Sequence, residues 1–282
     1  MGTKVHQCSG TFGRRMIWIL YLAITLIVLL LIGNALTYWL QFPILFRPAK
    51  LPQDFEFEFD HHFEEVVIES PEEGKIHGLY FHEENKRSEK GIVLYFHGNL
   101  GNLTRWGKYY DRQFADTGLD VFFMDYRHYG KSKGAIAESL FYDDALNVYR
   151  HFDGLYPAEH ITIYGRSIGS GLASFLASKV LAKQILLETP FSSIQDMFYA
   201  YYPFLPPVFL FRFNFPNAEH LEKCELPLHI IVSGKDRVTP PKSSARLQSI
   251  LKDGDSYTVV NDAKHNNLKE FEEFDTWMSD RF

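Results

Sequence analysis

Short, almost uninterrupted apolar runs alternate with helix-like segments through most of the sequence after residue 90. Strands that are apolar on both faces are typical of a parallel sheet covered by helices on both sides. The pattern therefore predicts an α/β fold with a mostly parallel sheet. The apolar runs fall at residues 92–96, 121–124, 161–164, 185–187, 228–232 and 257–260, and the helix-like segments at 103–115, 138–152, 170–181, 243–251 and 268–278. Earlier strand-like runs fall at 55–59, 65–69 and 77–81.

The composition limits the classes of partner and cofactor. A chain of 282 residues has room for one α/β domain of ~230–250 residues and an appendage. The formal net charge is −6, and no basic stripe occurs after the first 50 residues. Because nucleic-acid binding needs a basic surface, we expect no nucleic-acid partner. The sequence also has no Cys or His cluster with metal-ligand spacing and no phosphate-binding loop motif, so we expect neither metal nor cofactor.

An uncharged stretch near the N-terminus predicts a membrane anchor. Residues 16–46 contain no charged side chain, and aromatic residues lie towards both ends of the most apolar part. About 24 apolar residues form a helix of ~36 Å, which is enough to cross a bilayer. We expect prolines at 43 and 48 to end this helix. The predicted organisation is a tail at 1–15, a transmembrane anchor at 16–40, a linker at 41–63 and the α/β domain at 64–282.

Two other interpretations of this stretch are a cleaved signal peptide and a twin-arginine signal. The apolar run is too long for the first and lacks a small-x-small cleavage site. Arg14 and Arg15 have poorly matching neighbours for the second. Basic residues before and after the run number three against two, which favours a single-pass protein with a cytoplasmic N-terminus. The large domain would then lie on the periplasmic or lumenal side.

A serine at residue 167 stands between a strand-like run and a small-residue helical segment. Its surroundings read Gly165-Arg166-Ser167-Ile168-Gly169. In this context a G-x-S-x-G sequence is typical of a strained turn that presents the serine hydroxyl above a sheet. Flanking glycines are needed there because strand and helix cross closely. The motif indicates a nucleophile at Ser167, and an ordinary strand–helix turn is the alternative.

A serine nucleophile needs a base and an acid that orients the base. In α/β folds these follow later strands, in the order serine, acid, histidine. Asp236 follows the run at 228–232, and His265 follows the run at 257–260. We therefore predict His265 as the base and Asp236 as the acid. Asp262 is a rival acid, although it belongs to the same loop as His265.

Two backbone N–H groups are candidates for an oxyanion hole. One is that of Ile168, which follows the serine directly. The other is that of Asn99, in the sequence His97-Gly98-Asn99-Leu100-Gly101-Asn102 after the first parallel strand. Its glycines allow close approach of backbone to a ligand. We expect His97 to be structural, with hydrogen bonds inside this loop.

Several ordered motifs together resemble one family. They are His97-Gly98-Asn99-Leu100-Gly101-Asn102, Asp125-Tyr126-Arg127-His128-Tyr129-Gly130, Gly165-Arg166-Ser167-Ile168-Gly169 and Ser233-Gly234-Lys235-Asp236. From about residue 64 onward the chain resembles α/β-hydrolases of the Bem46-like, ABHD13-like group, which are membrane-anchored serine hydrolases. The resemblance implies an α/β-hydrolase fold behind one N-terminal transmembrane helix, and a triad of Ser167, His265 and Asp236. His128 departs from the family pattern, which has glycine there, and Ser233 stands where relatives often have histidine.

Ester, thioester and amide bonds all suit this machinery, and the compact domain with its apolar cap segment favours hydrolysis of an ester or thioester through a covalent acyl-enzyme. The aromatic, proline-rich part of residues 191–222 falls where such enzymes carry a cap, and its apolar character favours an acyl or lipid-like substrate. Core packing beneath a long loop is the other interpretation of this segment. A serine peptidase or amidase on the same fold is the alternative reaction. A non-catalytic, membrane-anchored binding protein is the alternative from another class.

Overall fold

The computed structural model describes residues 9–84 and 86–282, and its centre is an eight-stranded sheet. The strands are β1 (Arg47–Pro48), β2 (Phe63–Ser70), β3 (Gly74–Phe81), β4 (Ile92–Phe96), β5 (Leu100–Gly101), β6 (Asp120–Met124), β7 (Ile161–Arg166), β8 (Gln184–Glu188), β9 (Leu228–Ser233) and β10 (Ser256–Val260). Across the main sheet the order is β10-β9-β8-β7-β4-β6-β3-β2, and β1 pairs separately with β5.

The main sheet is mostly parallel, as the apolar runs predict. From β10 through β6 every neighbouring pair of strands is parallel, whereas β3 is antiparallel to β6 and β2 is antiparallel to β3. Every residue of β4, β6, β7 and β8 is buried. Their carboxyl ends meet along one edge, which is where ligands bind in open α/β sheets.

Helices cover both faces of the sheet. The α-helices of the described chain are α1 (Ser9–Leu45), α2 (Leu103–Trp106), α3 (Tyr109–Gln113), α4 (Glu138–Asp153), α5 (Gly169–Ala177), α6 (Ile194–Tyr201), α7 (Asn217–Leu221), α8 (Ala245–Ser249) and α9 (Glu272–Ser279). Apolar side chains of α4, α5, α7 and α8 share one core with the sheet. Those of α2, α3 and α9 share a second core on the other face. The single helix predicted at 103–115 is two short helices separated by Gly107 and Lys108, and a Cβ at Gly107 would lie 2.4 Å from the ring of Phe59.

Helix α1 is long, apolar and exposed for most of its length. Its part Gly13–Leu45 is long and apolar enough to cross a membrane. These 33 residues rise ~50 Å as a helix, which exceeds the ~30 Å hydrocarbon core of a bilayer. Large apolar side chains such as Trp18, Leu29 and Trp39 point away from the rest of the protein.

The end of α1 differs from the prediction. The helix continues through Pro43 to Leu45. A proline removes one N–H donor and crowds the preceding turn, but it does not prevent the two residues after it from remaining helical. Residues 41–63, expected to be a linker, instead pack on the domain. Gln41 is buried, and its side chain accepts a hydrogen bond from Phe213 N (2.8 Å) and donates one to Phe213 O (2.9 Å).

Residues 55–59, a strand-like run in the sequence, form a loop. Their alternating phenylalanines pack on side chains instead of pairing with a neighbouring strand. Phe57 stacks on His77 with ring centroids 5.6 Å apart, and Phe59 contacts Phe81 with centroids 5.3 Å apart. The alternation of phenylalanines in this segment therefore reflects contacts of their side chains with the domain. It does not reflect backbone hydrogen bonding to a neighbouring strand.

Candidate active site

Ser167 lies at a sharp turn between β7 and α5. Its φ of +52° is in the left-handed region, which residues other than glycine seldom adopt. A Cβ at Gly169 would lie 2.0 Å from Phe96 O, and one at Gly165 would lie 2.5 Å from Ala173 Cβ. Strand and helix therefore cross too closely for side chains at these positions. The turn leaves Ser167 at the carboxyl edge of the sheet.

His265 and Asp236 meet at the same edge, on loops that follow β10 and β9. His265 Nδ1 lies 2.7 Å from Asp236 Oδ2, and both side chains are buried. The backbone N–H groups of Val238 and Thr239 donate to Asp236 Oδ1 at 2.7 and 2.8 Å. These bonds hold the carboxylate in one orientation, so that its second oxygen faces the imidazole.

Thr239 is a neighbour of this pair that the sequence analysis did not identify. Its Oγ1 donates to Asp236 Oδ2 at 2.9 Å and lies 3.2 Å from His265 Nδ1. The signal in the sequence is an aspartate followed three residues later by threonine, a spacing that favours side-chain-to-backbone turns. Thr239 thus restrains the carboxylate oxygen that bonds the imidazole.

Asp262, the rival acid, is directed elsewhere. Its carboxylate lies 2.6 Å from Lys235 Nζ on the exposed surface. The hydrogen bond from Lys235 lowers the pKa of Asp262. The carboxylate bonded to His265 in the structure is that of Asp236.

Ser167 and His265 line one cavity of about 420 Å³. Among the described side chains, Ser167 Oγ forms no hydrogen bond with His265, whose Nδ1 bonds Asp236. The hydrogen bond between a nucleophile and its base is often long before substrate binds. The rest of the lining consists of Ile44, Leu45, Arg47, Gly98, Asn99, Leu100, Arg105, Trp106, Arg166, Ile168, Phe191, Ile194, Met197, Tyr201, Arg237, Val238, Thr239 and Asn266. Three distant parts of the chain therefore build this cavity: the end of α1, the carboxyl edge of the sheet and α6.

The two backbone N–H groups predicted for an oxyanion hole both belong to residues that line this cavity, Asn99 and Ile168. Within residues 9–84 and 86–282, neither N–H donates a hydrogen bond to another backbone group. An N–H group that has no partner in the protein is available to a ligand oxygen.

The end of α1 holds the loop that carries Asn99. The Asn99 side chain donates to Leu45 O at 3.0 Å, and Asn99 O accepts from Arg47 N at 2.9 Å and from Tyr129 Oη at 2.7 Å. The parallel pairing of β1 with β5 continues this contact. The sequence analysis missed it, because no local pattern relates residues 45–47 to residue 99.

A buried ion pair lies directly beneath the serine turn. Arg166 Nε lies 2.7 Å from Glu188 Oε1, and Tyr164 Oη donates to Glu188 Oε2 at 2.9 Å. Burial lowers the pKa of Arg166, but Glu188, Tyr95 and Tyr109 raise it, and the net shift is upward. Arg166 Nη2 also donates to His265 O and Asn266 Oδ1, each at 3.3 Å. The pair thus connects the serine turn to the loop that carries His265.

The loop after β6 supports the Asn99 loop from below. His97 is buried and lies 3.3 Å from Asp125 Oδ1 and 2.6 Å from its neighbouring carbonyl, Gly98 O. Burial raises the pKa of the Asp125 carboxyl, although its bond with His97 opposes this. His128, which departs from the family's glycine, has a φ of +71°. That conformation explains why glycine suits the position better.

One group of possible metal ligands lies far from this cavity. Ligand atoms of His62, Glu64 and His82 lie within 4.8 Å of one another on the surface. They sit where β2 begins and β3 ends, and Phe81 at the end of β3 pairs with the start of β6. This is the edge of the sheet opposite to Ser167, so the group is no part of the candidate active site.

Similar sequences point to hydrolases. The family described as alpha/beta hydrolase fold matches residues 91–223. An uncharacterised protein of Mycobacterium tuberculosis is 26% identical over 205 residues, which is 72% of each chain. The lysophosphatidylserine lipase ABHD12 of Macaca fascicularis is 29% identical over 191 residues, which is 60% of this chain and 48% of the lipase. The chain thus spans about half the length of that relative.

Solved structures show the same fold at lower identity. The esterase Pf2001 of Pyrococcus furiosus superposes with a TM-score of 0.61 and 19% identity, covering 83% of this chain and 95% of the esterase. Acetyl xylan esterase 1 of a Thermoanaerobacterium species gives a TM-score of 0.62 and 15% identity, covering 81% and 86%. The resemblance inferred from the motifs is confirmed: the chain has an α/β-hydrolase fold, and its sequence is similar to those of ABHD proteins.

Proposed function

We propose that the protein is a membrane-anchored serine hydrolase that cleaves an ester or thioester of an acyl or lipid-like substrate. Ser167 Oγ attacks the carbonyl carbon while His265 Nε2 takes its proton, and the N–H groups of Ile168 and Asn99 bind the oxyanion. Each such donor is worth about 3–4 kcal/mol in the transition state. His265 then gives the proton to the leaving group, and water releases the acyl group from Ser167 by the same steps.

The observation that carries this proposal is the 2.7 Å contact of His265 Nδ1 with Asp236, beside a cavity that Ser167 also lines. A carboxylate at Nδ1 favours the tautomer whose proton is on Nδ1. That tautomer leaves the lone pair of Nε2 free to act as a base. The mechanism also needs donors for the oxyanion, and the backbone N–H groups of the cavity-lining residues Asn99 and Ile168 are the candidates for this role.

The lining of the cavity favours an acyl group over a peptide. Phe191, Ile194 and Met197 form an apolar side, and the last two belong to α6, within the proposed cap at 191–222. The similar proteins include a lipase and two esterases by name. A peptidase or amidase on this machinery is the alternative reaction, and a non-catalytic binding protein is the alternative from another class.

Labelling with a fluorophosphonate tests the proposal. The full-length protein in neutral detergent should be labelled covalently, and Ser167→Ala should not, because only an activated serine reacts. Ser170→Ala is the matched control, since the Ser170 hydroxyl lies one turn further on, where it donates to Ser167 O and accepts from Asn217 Nδ2. No labelling of the folded parent protein would favour the binding-protein alternative. Hydrolysis of a peptide amide faster than of the matched ester would favour the peptidase.

The anchor and its orientation are part of the same proposal. Exposed apolar side chains along α1 support membrane insertion, with a cytoplasmic N-terminus and the hydrolase domain on the periplasmic or lumenal side. Protease treatment of sealed right-side-out vesicles should then digest the domain without opening them. Digestion only after the vesicles are opened would show the reverse orientation.

A further inference from the structure

Two histidines and a glutamate meet at the open end of the β2–β3 hairpin, far from the cavity. The ligand atoms of His62, Glu64 and His82 lie within 4.8 Å of one another. His62 precedes β2, Glu64 belongs to β2 and His82 follows β3. The sequence analysis expected no metal, because these residues are far apart in the sequence and only the folded hairpin brings them together.

The pairing of β2 with β3 puts the three side chains on one face of the hairpin. Phe63 pairs with Phe81 in the antiparallel ladder, so the same register, continued by one residue, sets His62 opposite His82. Residues two apart on a strand share a face, and Glu64 therefore lies on the face of His62. Side chains directly opposite each other in such a pair have Cβ atoms about 4.5–5.5 Å apart. The proximity of the three residues thus follows from the backbone register.

His82 is the fixed member of this group. Its side chain is only 9% exposed, and its ring stacks on Tyr80 with centroids 4.3 Å apart. Its Nδ1 lies 2.7 Å from Glu83 O. Because a carbonyl oxygen only accepts hydrogen bonds, Nδ1 carries the proton. Histidines that bind metals almost always donate their other ring N–H in this way, which fixes the tautomer and the orientation of the ring.

The second ring nitrogen of His82 lacks a partner. Among the described residues, no group forms a hydrogen bond with Nε2, which is buried. It lies 3.3 Å from Glu64 Oε1. In the neutral tautomer both atoms present lone pairs to each other, which is unfavourable unless a cation or a proton lies between them. A metal ion bound at Nε2 would satisfy a buried group that is otherwise costly to leave unpaired.

The other two residues can adjust to an ion, because His62 and Glu64 are both exposed. In a tetrahedral site with bonds of about 2.0–2.2 Å, ligand atoms lie about 3.4 Å apart. The 3.3 Å between His82 Nε2 and Glu64 Oε1 already matches this separation. A rotation of the exposed His62 ring closes the remaining distance. One anchored ligand and two movable ones can therefore reach the geometry of a metal site.

Two cationic residues border the group and limit its affinity. Lys86 and Arg87 line the same surface hollow as His82. Lys86 Nζ lies 4.0 Å from a carboxylate oxygen of Glu83, which offsets its charge. Since the guanidinium group remains nearby and only three side chains are ligands, we expect weaker binding than at a structural site with four protein ligands.

We propose that His62, Glu64 and His82 bind one zinc ion, with water in the fourth position. Two imidazoles and one carboxylate suit Zn²⁺, whereas Ca²⁺ and Mg²⁺ prefer oxygen ligands. The ion ties the residue before β2 to the residue after β3. It thereby fixes the point at which the chain between β1 and β2 enters the main sheet. This role does not depend on the reaction proposed at Ser167.

Calorimetric titration with Zn²⁺ tests the site. The full-length protein in neutral detergent, purified with a tag that contains no histidine and stripped of metal by a chelator, should bind one equivalent even in excess Mg²⁺ and Ca²⁺. His62→Gln should weaken binding at least tenfold, because even residues behind the ligands change metal affinity by about 10- to 100-fold. His61→Gln is the matched control, since the neighbouring exposed His61 pairs with Asp111 at 3.1 Å. Its zinc affinity should stay within about twofold of that of the parent protein.

Two more measurements separate a ligand from a merely structural residue. His82→Phe keeps a ring over Tyr80 but removes Nε2, so it should weaken zinc binding as His62→Gln does. Co²⁺ in place of Zn²⁺ should give the visible absorption of a four-coordinate ion, and Glu64→Gln should abolish it. Zinc at about 100 times its Kd should raise the Tm of the parent protein and of His61→Gln by about 5–10 °C, and that of His62→Gln much less.

Equal zinc affinity of His61→Gln and His62→Gln would overturn the proposal. So would the absence of zinc binding by the folded parent protein, in which case the group is an ion pair between protonated His82 and Glu64. Zinc binding with the expected pattern, in a protein that no fluorophosphonate labels, would retain this site and reject the hydrolase. Labelling of Ser167 without zinc binding would do the opposite.

Discussion

The cavity has two walls that are built differently. The sheet supplies the first wall, where Ser167, Asp236 and His265 are each less than a tenth exposed. The end of α1 and α6 supply the second wall, where Ile44 is 61% exposed and Tyr201 is 44% exposed. Groups that must keep a fixed geometry thus lie in the packed interior, and groups that contact the rest of a substrate lie at the periphery. The difference predicts that changes in the first wall affect the rate of the chemical step, whereas changes in the second affect substrate choice.

The largest effect should come from Asp236→Asn, in the first wall. The amide would favour the wrong tautomer of His265, so kcat should fall by a factor of about 10⁴. The dependence of kcat/KM on acyl chain length should keep its shape, because the second wall is intact. Kinetics on a series of p-nitrophenyl esters measures both quantities.

Asp262→Asn is the control for this change, since Asp262 bonds Lys235 on the surface. We expect it to alter kcat by less than about twofold, because exposed ion pairs contribute little. If the two aspartate variants lost activity equally, the assignment of Asp236 would be wrong.

The next largest effect concerns the stability of the first wall. Glu188→Gln leaves the buried guanidinium of Arg166 without a counter-ion, and removing one partner of such a pair costs about 3–5 kcal/mol of unfolding free energy. Denaturant unfolding of the purified protein measures this loss. Glu222→Gln removes the partner of exposed Arg246 and should cost less than about 1 kcal/mol. Similar losses of unfolding free energy in both variants would contradict the expected difference between the buried and the exposed ion pair.

The smallest effect should come from the second wall. Met197→Ala widens the apolar side of the cavity, so the preferred acyl chain should change in length with a shift in relative kcat/KM of about 3- to 10-fold. The value of kcat on the best ester should stay within about twofold. Phe204→Ala is the control, because Phe204 is exposed and does not line the cavity. A general loss of kcat in Met197→Ala would mean that α6 positions the chemistry as well.

The two walls also differ in how well they could be predicted. The six parallel strands have the predicted positions to within two residues, because apolar runs depend on local composition, whereas the run at 55–59 forms no strand. Ser167, Asp236 and His265 could be chosen because each follows a strand in the expected chain order. The Arg166–Glu188 pair and the bond from Asn99 to Leu45 O are contacts of the folded chain that no spacing in the sequence encodes. Thr239 has a local signal, its position three residues after Asp236, but that spacing does not show that its hydroxyl bonds the carboxylate oxygen that faces His265.

The end of α1 was misplaced for a different reason. Helix positions that face lipid and helix positions that face a protein core are both apolar. An uncharged run therefore does not show at which residue a helix stops facing lipid and starts packing on a protein core. Leu40 is exposed, whereas Gln41 and Phe46 are buried against the domain. Of these three residues only Gln41 is polar, and it is the local sign in the sequence that the helix begins to pack against the domain.

The bond between Asn99 and Leu45 O has a consequence for where the catalytic domain begins. A soluble fragment cut at residue 64 would lack the carbonyl that the Asn99 side chain bonds and the strand that β5 pairs with. One that starts at Gln41 keeps both, and a comparison of the specific activities of the two fragments would measure the difference. If the proposed function is right, activity should therefore depend on residues inside the apolar helix, and we expect another apolar helix to replace α1 without loss of activity only up to residue 40.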